Sequence, residues 1–248
     1  MTSTTRPTRE NGTAPGDLAA PRHGFRGEPA AGAGLWRPPG PAVAVSREPG
    51  ARGGSIARRV GAKLGWQVVG QELLDYMAGS ESARAQLSAD LSEEAARWVE
   101  AQLRRLEAEG LPRPGAGMGE LPRLILMLAA QGNVILVGRG AGFLLPPEST
   151  LHVRVVAPPA DRVAYMAQLL RLSREEAEEE VRRRDAQRAE FLEAGFGRGA
   201  ADLYPYDLIL NSSRLGEENC AELILLALRA RDRTGAPSLP PPEDAPGA

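Results

Sequence analysis

Five short apolar runs rich in β-branched residues constrain the fold of this chain more than any other feature: AVAVS (42–46), WQVVG (66–70), NVILVG (133–138), LHVRVVA (151–157) and DLILN (207–211). Several are apolar almost throughout, as strands are when both faces of their sheet are covered. The stretches between them carry apolar residues at helical intervals, and parallel neighbours need such crossover connections. The reading is an α/β fold: a five-stranded parallel sheet with helices on both faces, forming a three-layer sandwich.

The helices expected from spacing are Ser55–Leu64, residues 81–109 and Leu121–Gln131, and one at 215–231 whose stripe is Cys220, Leu223, Ile224, Ala227 and Leu228. Residues 1–40 hold no Val or Ile and are full of Pro, Gly, Ala, Thr and Arg, and 233–248 are Pro-rich. Neither can bury enough apolar surface to offset ordering, so both read as disordered tails around one domain, 41–232, with Trp36 able to dock on it.

A net charge of −2 and a pI near 5.9 give no global attraction to nucleic acid or to an anionic membrane, so any anion site is local. The single cysteine, Cys220, excludes an internal disulfide, and reads as a small buried hydrophobe. With only His23 and His152 beside it, no zinc ligand set can be assembled. His152, inside an apolar strand, reads as a buried neutral histidine with a backbone partner. No apolar run is long enough to span a bilayer, and a reducing cytoplasm is the expected compartment. Of the 30 basic residues only Lys63 is a lysine; the rest are arginines, planar forks suited to phosphates and carboxylates.

The local anion site is visible at SREPGARGGSIA, residues 46–57, where a strand runs into a glycine loop and then a helix. Gly50, Ala51, Arg52, Gly53, Gly54 and Ser55 form a candidate phosphate cradle, because glycines let backbone N–H groups approach an anion at a helix N-terminus. Ser55 stands where a serine caps the helix or ligates Mg²⁺. The lysine of the pattern G-x-x-x-x-G-K-[ST] falls on Gly53 or Gly54. Lys63 lies some ten residues along the helix, about 15 Å away, and cannot replace it. Arg52 is the first candidate for that role, with Arg47 and Arg58 behind it.

Taken in order, SREPGARGGSIA, VILVGRGAGFLL, LHVRVVAP, RRRDAQRAEFL and YDLILNSSRL resemble the cytidylate kinase-like family of P-loop nucleoside monophosphate kinases. The resemblance covers about residues 41–231 and implies a P-loop NTPase-type fold, with a monophosphate-binding helical insertion at about 71–120 and a lid at about 173–203. It implies transfer of the γ-phosphoryl group of ATP, with Mg²⁺, to a nucleoside monophosphate, CMP or dCMP. Arg139 matches an arginine that contacts the acceptor's phosphate. Gly140 stands in place of an acidic base-reading residue, and Gly70 in place of an Asp for which Glu72 or Asp75 compensates. Arg184, Asp185 and Arg188 fall in the lid, Asp185 and Arg188 on a D-x-x-R pattern in which the Asp meets the ribose and the Arg closes on phosphate.

The lid helix is signalled independently by Ser173 and Glu176, a capping box, followed by the i,i+4 pairs Glu178–Arg182, Glu179–Arg183 and Glu180–Arg184. Because charged family residues are missing at 53, 70 and 140, two further functions stand beside the kinase: a nucleotide-binding sensor or partner-binding module without transfer, and a kinase of another small metabolite.

Overall fold

The computed structural model describes residues 36–199 and 202–232. The tails expected over 1–35 and 233–248 lie outside the described residues. Residues 36–40, also assigned to a tail, are instead packed: Trp36 meets Trp98 edge-on at 6.1 Å, and Pro38 and Gly40 are buried.

The strands are β1 (Ala42–Arg47), β2 (Gln67–Val69), β3 (Val134–Val137), β4 (Thr150–Val156) and β5 (Leu208–Asn211). All pair in parallel in the order β2-β3-β1-β4-β5, with Val45 opposite Val137 and Arg47 opposite Val155. The helices are α1 (Gly53–Leu64), α2 (Gln71–Gly79), α3 (Glu81–Ala89), α4 (Glu93–Ala108), α5 (Leu121–Ala130), α6 (Ala141–Leu144), α7 (Pro159–Leu170), α8 (Arg174–Phe196) and α9 (Ser212–Asp232).

Alternation along the strands sorts the core into two layers. Val43, Val45, Ile135, Val137, Leu151, Val153 and Val155 face α1 and α9 in one apolar cluster. Ala42, Ala44, Val134 and Leu136 face α5, α6 and the insertion in another. The connection after β1 leads outward to β2, whereas β3 returns across β1 to β4. The carboxyl end of β1 is therefore the switch point at which open α/β sheets bind ligands.

Several helices differ in detail from their sequence signals. α1 begins at Gly53, two residues early, so Ser55 lies inside its first turn and does not cap it. The insertion breaks at residues 90–92, where the Ser92 hydroxyl accepts from Ala95 N–H and starts a new helix. On α9 the buried stripe is Cys220, Ala221, Ile224, Leu225 and Leu228, with Leu223 exposed, so the buried face is rotated from the expected one; the helix is kinked at Gly216. The start of α8 and α7 share a small separate cluster, Val163, Met166, Ala177 and Val181.

Candidate functional site

The loop after β1 is tied down on three sides. Glu48 N–H donates to Val155 O (3.1 Å), Ala51 N–H closes a turn on Glu48 O (3.1 Å), and the buried Ala51 offers its carbonyl to Ser212 Oγ (2.8 Å). Gly50, at φ +81°, packs on the α7 backbone, where a Cβ would come within 2.6 Å of Arg162 O. Arg52 then takes a left-handed conformation and α1 starts with no side-chain cap. Its first-turn N–H groups consequently have no protein side chain to satisfy them. A Cβ at Gly54 would touch nothing nearer than Arg58 Nη1 at 3.7 Å. An uncapped helix start behind an open glycine suits a phosphate.

The arginines sort into two groups. The guanidinium of Arg52, the first candidate from sequence, rests 5.0 Å from the ring centre of Tyr165 on α7. Arg58 donates to Ser55 Oγ (3.2 Å), so the hydroxyl considered for Mg²⁺ already accepts a hydrogen bond. Arg47 and Arg188 instead lie together at the end of β1, Arg47 against Gly138 beside Arg139 and Arg188 on Ser46. Burial lowers the pKa of Arg47, Glu72 opposes this, and Arg188, Arg139 and Arg184 lower it further. Arg47 Nη2 donates to Gln71 Oε1 (2.9 Å). Arg188 Nη2 reaches from α8 to Ser46 Oγ (2.9 Å), which also accepts from the Tyr206 hydroxyl (3.2 Å). Burial lowers the pKa of Arg188 as well. Arg139, at φ +50°, grips Asp75 with two hydrogen bonds and lies 5.4 Å from the Phe191 ring centre.

Two lid residues have other partners. Asp185 Oδ2 accepts from Arg162 Nη1 (2.8 Å), which ties the lid helix to α7. Arg184 pairs with Glu180 (2.6 Å), which also binds Arg183, so the pairs expected for Glu178 and Glu179 do not form. The capping box is as expected, with Glu176 N–H on Ser173 Oγ and Ser173 N–H on Glu176 Oε2.

Behind the loop lies an ionic network that sequence reasoning missed. Glu48 accepts from Ala157 N–H (3.2 Å) and faces Arg154 at 3.6 Å and Arg162 at 3.7 Å. Arg154 also stacks over Tyr206 at 5.6 Å. The clue was a charged residue at the mouth of the loop and a second inside an otherwise apolar strand. His152 is structural, as expected. Burial lowers its pKa, and Nδ1 lies 3.1 Å from Pro205 O. Tyr204 is fully exposed, whereas Tyr206 belongs to the site.

Of the two glycines at which the chain departs from the motifs it resembles, Gly140 has a steric reason and Gly70 has none in the structure. At Gly140 (φ +70°) a Cβ would sit 2.3 Å from the Phe196 ring, which stacks on Phe143 at 4.9 Å. At Gly70 the backbone is extended and starts α2 without a side-chain cap; a Cβ there would lie 3.6 Å from Glu72 Oε2.

The residues present fit a triphosphate: an uncapped helix start, an open glycine and neighbouring guanidinium groups. For Mg²⁺ the chain offers Ser55 Oγ. Among the described residues no group of three or more His, Cys, Asp or Glu is placed to hold a metal, so an ion here would take most of its oxygens from phosphate and water.

A parallel sheet with a glycine loop at its switch point, a helical insertion and an arginine-bearing helix opposite define an α/β P-loop kinase fold. The cytidylate kinase-like family pattern matches residues 42–214, and the chain belongs to that family. A cytidylate kinase of Ignicoccus hospitalis is 26% identical over 182 residues, covering 73% of this chain and 95% of the relative. Among solved structures, an uncharacterized protein from Eubacterium ventriosum superposes with a TM-score of 0.53 at 14% identity, covering 76% of this chain and 98% of its own. A shikimate kinase from Acinetobacter baumannii, solved with shikimate, gives a TM-score of 0.44 at 12% identity, covering 77% and 94%. No described helix is long and apolar enough to cross a membrane.

Proposed function

We propose that the protein transfers the γ-phosphoryl group of ATP to a nucleoside monophosphate, CMP or dCMP, with arginine doing the work of the absent lysine. The observation that carries this reading is the placement of Arg47 against Gly138, beside Arg139, and of Arg188 on Ser46, next to an uncapped glycine loop. The kinship with a cytidylate kinase supports the choice of acceptor.

Phosphoryl transfer asks the protein chiefly to align donor and acceptor and to neutralise shifting charge. In this reading the N–H groups of residues 53–55 hold the donor's phosphates. Arg139, steadied by Asp75, binds the acceptor's phosphate from the insertion side. Arg188 leaves Ser46 and Arg184 leaves Glu180 to meet the transferring group from the lid. Ser55 would hold the Mg²⁺ that, when bound, neutralises charge on the phosphates. Asp185 is held by Arg162 in this state, and its contact with a ribose requires that pair to open as the lid closes.

The test is purified protein with ATP, Mg²⁺ and a panel of nucleoside monophosphates. ADP forms with a pyrimidine acceptor if the reading is right; no ADP with any acceptor removes it. A different acceptor, another small metabolite, is favoured by one observation: Phe196 fills the space where the family carries an acidic base-reading side chain. Turnover with a non-nucleotide alcohol and none with CMP selects that reading. Nucleotide binding without turnover selects a sensor.

A further inference from the structure

Of the two positions where the lysine would fall, Gly54 is open and Gly53 is closed to any side chain. An ideal Cβ at Gly53 would lie 2.6 Å from Cβ of Arg47 and 3.1 Å from its Cγ. Real Cβ atoms do not approach so closely, so any side chain at 53 collides with the stem of Arg47. The far end of the same side chain lies over a second glycine, whose left-handed backbone favours glycine in its own right. At Gly138, φ +88°, a Cβ would lie 2.0 Å from Arg47 Nη1. Two glycines, one opening α1 and one ending β3, clear the channel through which Arg47 runs.

That channel delivers the guanidinium to Gly138, beside Arg139. Arg47 stands on a central strand, its backbone in register with Val155, and its stem is confined between the two glycines. It hydrogen-bonds the neutral Gln71 amide oxygen, and among the described residues no carboxylate oxygen lies within ion-pair distance of it. Arg188 is in the same condition, bonded to a serine hydroxyl. Two half-buried cations that hydrogen-bond only neutral groups among the described residues, next to a third cation, keep their charge at a cost that Glu72 offsets in part for Arg47 and Glu48 and Asp185 in part for Arg188, and that a bound anion lowers further. Arg52 lacks these features, since its guanidinium rests on Tyr165 at the α7 side of the loop.

We propose that Arg47 is the phosphoryl-binding cation of this loop in place of the lysine, and that it forms with Arg188 a two-guanidinium clamp on a bound polyphosphate. This rests on the phosphotransferase reading and moves the role from the loop's interior to the residue that ends the strand. A planar fork fixed by two glycines needs no reorganisation as charge moves, which is what electrostatic preorganisation requires.

The test uses inorganic tripolyphosphate and Mg²⁺-ATP as probes, by calorimetry and thermal shift, on the full chain. Arg47→Met keeps the apolar stem in the channel and removes the charge. Its affinity for tripolyphosphate should fall about 10- to 100-fold, the loss expected for one charge-assisted hydrogen-bonding group. Gly53→Lys in the presence of Arg47 should lower the melting temperature and bind no tighter. The double variant Arg47→Gly/Gly53→Lys should regain much of the lost binding, because it removes the Cβ and Cγ of residue 47 that a side chain at 53 would meet. The assignment is overturned if Arg47→Met binds tripolyphosphate as the unaltered protein does, or if Arg52→Ala loses more affinity than Arg47→Met. Failure of the unaltered protein to bind either probe overturns the phosphotransferase reading together with the clamp.

Discussion

Replacing Glu48 with alanine should destabilise the protein more than any other change at the loop that leaves the apolar core intact. The carboxylate is about three-quarters buried between two guanidinium groups that are themselves 7% and 10% exposed, those of Arg154 and Arg162. At 3.6 and 3.7 Å and an effective dielectric constant near 20, each attraction is about 4.5 kcal/mol before desolvation is counted. Removing the shared anion leaves buried Arg154 without a carboxylate and Arg162 with Asp185 alone, and frees Ala157 N–H; stranding a buried cation in this way typically costs about 3–5 kcal/mol. These contacts are longer than hydrogen bonds, so the lower figure applies. For a domain of this size about 3 kcal/mol corresponds to a fall in melting temperature of about 6–12 °C. Differential scanning calorimetry measures it, with Glu48→Gln as the companion that keeps an acceptor for Ala157 and loses only charge. Adding Arg154→Met to Glu48→Ala should restore part of the loss, since one stranded cation goes. A Glu48→Ala melting temperature within about 2 °C of the unaltered protein would show that both arginines are hydrated and that the network does not hold the loop.

Burial lowers the pKa of His152, so on acidification the unfolded chain takes up a proton before the folded one does. Stability is then fully present above the ordinary histidine value of about 6.5 and falls as pH drops below it, by at most about 1.4 kcal/mol per unit; thermal melts from pH 7.5 to 5.5 should show this, and His152→Gln should flatten it. Ser173→Ala removes one side of the capping box and should cost about 1 kcal/mol, read as faster amide exchange at Glu176 and Ala177. Phe196→Ala empties a site that is 4% exposed and should cost about 3–4 kcal/mol in denaturant unfolding. Arg139→Lys loses the two-pronged grip on Asp75 and should raise the acceptor's KM at least tenfold with a smaller change in kcat, provided turnover is established first.

What was legible in the sequence was what periodicity and turn chemistry control. Five apolar runs became five parallel strands within a residue or two of their expected ends, and the lid's capping box was readable because it is a local hydrogen-bonding motif. The loop was equally legible as a glycine-rich turn from strand to helix. Which arginines lie beside it was not, because that depends on where glycines elsewhere leave room. Arg52 sits in the loop by sequence, but its left-handed backbone turns it to Tyr165, while Gly53 and Gly138, 85 residues apart, both open the path of Arg47. Ser46, Gln71 and Tyr206 were missed for the same reason: each acts through partners distant in the chain. Glu48 was missed because a carboxylate beside a phosphate loop carries no meaning until Arg154 and Arg162 are seen behind it.

The long helix α8 joins the two regions that phosphoryl transfer must bring together. Its 23 residues span about 34 Å, and its two ends are held differently. Near the start, Ala177 and Val181 pack only into the small cluster shared with α7. Near the end, Leu192 and Phe196 enter the large core with the insertion, and Arg113 N–H bonds Gly195 O (2.8 Å). Gly195 is small because a Cβ there would meet Met118 of the insertion at 2.6 Å. The carboxyl-terminal end is therefore the fixed point, and the amino-terminal half rests on a few apolar side chains, the Asp185–Arg162 pair and Arg188 on Ser46. These are weak enough to be exchanged for contacts with a polyanion. Arg184 and Arg188 lie between the fixed end and the loosely held one, and in the proposed reading a small rotation of the helix about its anchored end would carry both toward the loop. Asp185 is bound to Arg162, and Arg162 faces Glu48, so one arginine links this helix to the glycine loop. In that reading an anion that draws Arg188 off Ser46 would also load the network that holds the loop in shape.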